Sequence, residues 1–128
     1  MALRIVRLGT PRTKSEGTRI GTVRRPPRGV PKAEFASQDW YDVWFPTLAP
    51  SAEAMQLGQQ ANTPAQWAAF ARKYRAEMKG PAAEHALNLI ATLSHTADLS
   101  VGCYCADEAR CHRSILRQLL ADRGARFA

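Results

Sequence analysis

Leu99–Leu120, LSVGCYCADEARCHRSILRQLL, is the stretch whose reading decides the fold. Leu99 to Cys103 is short, apolar and free of charge, as a buried strand is. In extended backbone Leu99, Val101 and Cys103 share one face, and Ser100, Gly102 and Tyr104 the other. Cys105 to Arg110 (CADEAR) is polar and reads as a loop. Beyond it Ile115, Leu116, Leu119 and Leu120 recur at helical spacing, which puts Cys111, His112, Arg113 and Ser114 in a helix's first turn. A strand that feeds a helix through a short loop aims the helix's first N–H groups at the loop mouth. Open α/β sheets place their ligands at that end of the strand.

Leu3–Leu8 and Thr18–Val23 are two further strand candidates, the second rich in β-branched residues. The segment Arg24-Arg25-Pro26-Pro27-Arg28-Gly29-Val30-Pro31 cannot form regular structure, and its prolines stiffen the loop that carries the arginines. Lys32–Ser37 fits a short helical turn, and Asp39–Phe45 gathers aromatic residues suited to a core or a contact surface. Ser51 is placed as the N-cap of a helix to about Gln59. Thr63, Pro64 and Gln66 form a capping-box pattern ahead of Trp67, Phe70, Ala71, Tyr74 and Met78, and Gly80-Pro81 ends that helix. A further helix over 82–94 is expected to bury Ala86, Leu89, Ile90 and Leu93, with His85 beside that stripe. The order predicts an α/β layered fold, a single domain over 1–128 with a mostly parallel central sheet flanked by helices.

The chain has 128 residues, of which 45% are hydrophobic and 23% charged, as in ordinary globular proteins. No apolar run approaches the ~20 residues of a membrane span, and Met1–Arg12 lacks the apolar core of a signal peptide. Three clustered cysteines fit reduced thiols better than a disulfide framework, so a cytoplasmic location is expected. The net charge of +7 favours anionic partners. Nine Lys or Arg residues fall between Arg4 and Lys32 against one acid, Glu16.

Three chemistries compete for the cysteine-bearing stretch. Cys103, Cys105, Cys111 and His112 have the donor types of a metal site. Adjacent Cys111 and His112 should diverge at a helix start, however, and Cys103 should lie deep in the sheet, so neither a metal nor a cofactor is expected. A nucleophilic thiol, Cys105 or else Cys111 with His112 beside it, would be activated by loop N–H groups and by Arg110 or Arg113. The loops of rhodaneses and cysteine phosphatases are the nearest analogy. The phosphatase arginine would fall at Cys111, the rhodanese glycine is missing, and Asp107 and Glu108 oppose an anion. The favoured reading is an anion- or phosphate-binding cleft at the strand ends, lined by Arg24 and Arg28 on one side and by Cys111, His112, Arg113 and Ser114 on the other. A nucleic-acid-binding module using Arg24, Arg25, Arg28 and Lys32 is the alternative without catalysis.

Four stretches also carry a family likeness: Arg24 with Pro27-Arg28-Gly29-Val30; Trp44 with Leu48-Ala49-Pro50-Ser51; Trp67, Phe70, Tyr74 and Glu77; and Cys111-His112-Arg113-Ser114. In this order, over roughly residues 3–124, they resemble domain-of-unknown-function family 488, the YeaO-like proteins. Val23 and Pro26 depart from the pattern, which tends to have an acid and a tryptophan there. The resemblance implies a compact α/β domain and a set of candidate residues, and no activity.

Overall fold

The computed structural model of the chain describes residues 1–128. Its centre is a four-stranded sheet in the order β1 (Leu3–Arg7), β4 (Leu99–Cys103), β2 (Thr18–Gly21), β3 (Val43–Trp44). Every pairing is parallel, with Val101 registered against Ile5 on one side and Ile20 on the other. β4 is central and all five of its residues are buried, which is why Leu99–Cys103 carries no charge and Ser100 is its one polar side chain. Parallel strands end at one edge of the sheet. The segments after β1, β2 and β4 therefore emerge side by side, and this convergence positions the site.

Four helices cover the sheet: α1 (Ala52–Gln60), α2 (Pro64–Glu77), α3 (Pro81–Leu93) and α4 (His112–Asp122). The main core joins Leu3, Leu99 and Val101 of the sheet to Phe70, Tyr74, Leu87, Ile90, Ile115, Leu116 and Leu120 of the helices. A smaller cluster of Leu8, Val23, Tyr41, Cys103 and Cys111 lies at the strand ends. No helix is long and apolar enough to cross a membrane.

Local signals worked where they were strong. Ser51 accepts from the Ala54 amide as the α1 cap. Thr63 and Gln66 close the capping box at both ends. Two expectations need correction. α3 turns Leu87 into the core instead of Leu89, because its inward positions are Ala83, Ala86, Leu87, Ile90 and Ala91; Leu89 and Leu93 are exposed. β2 stops at Gly21, short of Val23: the Thr22 amide makes the last bond to β4, at the Gly102 carbonyl, and the Val23 carbonyl goes to the Trp44 indole instead of a neighbouring strand's backbone.

The aromatic segment divides. Tyr41 is buried, whereas Val43 and Trp44 form the exposed edge strand. Its Trp44 indole donates to the Val23 carbonyl at 2.7 Å.

The basic N-terminal segment is likewise not uniform. Arg19 is fully buried and donates through Nε to Glu16 at 2.6 Å. Arg12 pairs with Asp42 at 2.7 Å. Arg24, Arg25 and Arg28 enter none of the ion pairs.

Candidate functional site

The converging segments enclose a cleft of about 1570 Å³. Three walls define it. Leu8–Thr10 and the Val23–Arg28 loop come from the ends of β1 and β2. Cys103–Cys105 and Arg110–His112 come from β4 and the approach to α4. Met55 and Gln56 of α1, with Trp67 and Phe70 of α2, face them. Five arginines line the cleft (Arg7, Arg24, Arg25, Arg28 and Arg110) and no carboxylate does. Arg24 and Arg28 thus share one cavity with Cys111 and His112.

The loop that carries the arginines is tied down through its backbone. Trp44 holds the Val23 carbonyl, and the Tyr104 hydroxyl donates to the Arg25 carbonyl at 2.8 Å. The side chains of Arg24, Arg25 and Arg28 stay exposed and unpaired while their backbone course is pinned.

Arg113 and Ser114 do not line the cleft. Arg113 is buried and donates to the Cys105 carbonyl at 2.6 Å, so it clamps the loop after β4 from behind. Its Nε has no hydrogen-bond partner. Ser114 turns back and donates its hydroxyl to the Cys111 carbonyl at 3.0 Å. The face assigned to Cys111, His112, Arg113 and Ser114 from sequence therefore reduces to Cys111 and His112. The first helical turn divides its side chains between cleft and interior.

The thiols form one cluster at the floor. Cys103 Sγ lies 3.8 Å from Cys105 Sγ. Cys111 Sγ lies 3.7 Å from His112 Nδ1. The expected divergence of Cys111 and His112 is therefore overturned: Cys111 is extended (φ −128°) and His112 opens the helix, which brings the two side chains together. His112 Nε2 is 3.0 Å from the Thr22 carbonyl. A carbonyl only accepts, so Nε2 carries a proton, and Nδ1 is the ring nitrogen that faces Cys111. The Tyr74 ring meets the imidazole edge-on at 5.4 Å and holds it in place.

The three thiols share their protons unevenly. Contacts from Cys103 and then Cys111, helped by the Arg113 charge, push exposed Cys105 down to about 3. Cys103 moves the opposite way, well up, chiefly because it donates to Cys105. Cys111 is lowered, first by Cys103 and then by His112 despite its burial. Such a set can offer a nucleophilic thiolate or gather a soft cation.

Contacts that no local pattern signals also shape the cleft. Glu77 accepts the Ser51 amide at 2.9 Å and the Ser51 hydroxyl, fixing the start of α1 against α2. The Tyr74 hydroxyl donates to the Leu48 carbonyl at 2.7 Å. Trp44, Ser51, Tyr74 and Glu77, which carry the family likeness, lie behind the cleft's lining and fix the segments that form its walls.

Searches of curated proteins and of solved structures return no match to the chain. A family model described as the active DUF488-N3 subclade matches residues 3–124, from the first residue of β1 to beyond the end of α4. The match takes in every strand and helix that builds the cleft, and the chain belongs to this DUF488 subclade.

Proposed function

We propose that the cleft binds a phosphate-bearing ligand of about nucleotide size. The observation that carries this reading is a concave surface with five arginines and no carboxylate; none of the five has an ion-pair partner, and Arg7 and Arg110 bond only to the backbone carbonyls of Tyr104 and Ala61. A pinned backbone spares the cost of ordering the loop on capture, and guanidiniums bind phosphate bidentately. The opposite wall supplies Trp67, Phe70 and Met55, apolar surface suited to a base or another flat group. The cavity exceeds the ~300–1,000 Å³ of common small-molecule sites, which leaves room for both parts.

Calorimetric titration with pyrophosphate, a nucleoside diphosphate and a single-stranded oligonucleotide tests the reading. The diphosphate should bind, and Arg24→Ala with Arg28→Ala should weaken it at least tenfold, as loss of ~1.5–3 kcal/mol per charged contact requires. A shallow salt dependence is expected for a small ligand. Oligonucleotide binding with a steep log–log salt slope, and none to the diphosphate, would transfer the surface to nucleic acid. No binding to any of the three, or equal binding by the double variant, contradicts the proposal.

A further inference from the structure

We propose that Cys103, Cys105, Cys111 and Nδ1 of His112 form a site for one zinc-type divalent cation at the floor of the cleft. This goes beyond the phosphate reading and rests on different residues. The donor atoms of Cys103, Cys111 and His112 all lie within 4.8 Å of one another. Cys105 stands outside that set, exposed at its rim, and offers a third sulfur 3.8 Å from that of Cys103. On a tetrahedral zinc with Zn–S near 2.3 Å, neighbouring sulfurs stand about 3.8 Å apart, and a sulfur–nitrogen edge is slightly shorter. The observed contacts of 3.8 Å and 3.7 Å are close to those edges.

The histidine is oriented as a ligand. Metal-bound imidazoles usually give their other N–H to a backbone carbonyl or a carboxylate, which fixes the tautomer. Here Nε2 is committed to the Thr22 carbonyl and Nδ1 faces the sulfurs. Thr22 is itself fixed by its hydroxyl bond to Gly102 of β4, so the ligand, its carbonyl partner and the strand form one rigid unit.

A second observation comes from Arg113. Its guanidinium is buried, has no carboxylate partner and leaves Nε unpaired. A buried cation of this kind needs a compensating negative charge nearby. Three thiolates and one divalent cation sum to a single negative charge beside the Cys105 loop that Arg113 holds. On binding, each thiol that is protonated releases its proton to solvent and its sulfur lone pair becomes the metal bond. No electrons are transferred.

The test is cobalt(II) titration of the full chain, reduced with a phosphine and stripped with a chelator. One equivalent should produce the strong visible absorption of tetrahedral cobalt and a near-ultraviolet thiolate charge-transfer band, both erased by zinc. Cys105 is exposed, so Cys105→Ser should fold normally; its charge-transfer intensity should drop by about a third as three thiolates become two. Cys103→Ser, with circular dichroism to confirm folding, should lose tight binding. Arg24→Ala with Arg28→Ala should keep the cobalt spectrum while losing phosphate affinity, so either proposal can fail without the other. A folded, reduced wild-type chain that shows no tetrahedral cobalt spectrum overturns the site. An unchanged spectrum in Cys105→Ser overturns the four-ligand set.

Discussion

Arg19 is surrounded by acceptors: its three guanidinium nitrogens meet both Glu16 carboxylate oxygens and the carbonyls of Thr10 and Asp39. Ser100 of the central strand donates to the same carboxylate at 2.9 Å. Glu16→Gln leaves the guanidinium buried without its counter-charge, and unfolding by urea should show a loss of ~3–5 kcal/mol. Burial alone would raise the Glu16 carboxyl, but hydrogen bonds from Arg19 and Ser100 outweigh it and hold the group below its ordinary value. The unfolded chain therefore takes up the proton first as pH falls. Stability is complete above the ordinary carboxylate range near ~4.3 and declines as pH drops through the lower folded value. Urea midpoints measured between neutral pH and pH 3 should follow that decline, and it should be smaller in Glu16→Gln. In the sequence, Arg19 and Arg24 are equivalent members of one basic segment. What separates them is their surroundings: Arg19 meets Glu16 and the carbonyls of Thr10 and Asp39 in the interior, whereas Arg24 faces the open cleft, and composition carries no trace of either.

Helix starts were legible because their chemistry is local. The Thr63–Gln66 box and the Ser51 cap each involve residues three apart, so four letters suffice to place them. The inward face of α3 was not, since Leu87 and Leu89 are both apolar and only packing chooses between them. The Glu77–Ser51 latch joins residues 26 apart and has no local sign. Glu77→Ala should lower stability by about 2 kcal/mol, the scale of hydrogen bonds to a charged group, in urea unfolding. It should also weaken phosphate-ligand binding, because α1 carries Met55 and Gln56 into the cleft. The turn before β2 depends on Gly17, with φ of 73° and an added Cβ meeting the Asp98 carbonyl at 1.9 Å. Gly17→Ala should destabilise the fold by more than ~1 kcal/mol, from a strained backbone and a displaced strand entry.

At the scale of the molecule, the parallel sheet turns three distant segments into one surface. Residues 8–10, 23–28 and 103–112 meet only because β1, β2 and β4 all end on the same side. The mostly parallel sheet is legible in the sequence, whereas the order β1, β4, β2, β3 is not, because β1 runs into β2 with no helix between them and the central place of β4 is set by long-range pairing. The exclusion of Arg113 and Ser114 is not legible either, because a helix's first turn points its side chains in several directions and only the packed neighbours decide which face the cleft. The net charge of +7 is likewise a poor guide by itself. Arg12 and Arg19 are spent on internal pairs, and the charge that matters is the unpaired set around the cleft. The most direct test of that concentration is a ¹H–¹⁵N correlation titration of the chain with a nucleoside diphosphate. Amide shifts should grow together at residues 24–28 and 110–112 and vanish in Arg24→Ala with Arg28→Ala. Shifts confined to another face, or unchanged in the double variant, would contradict the account.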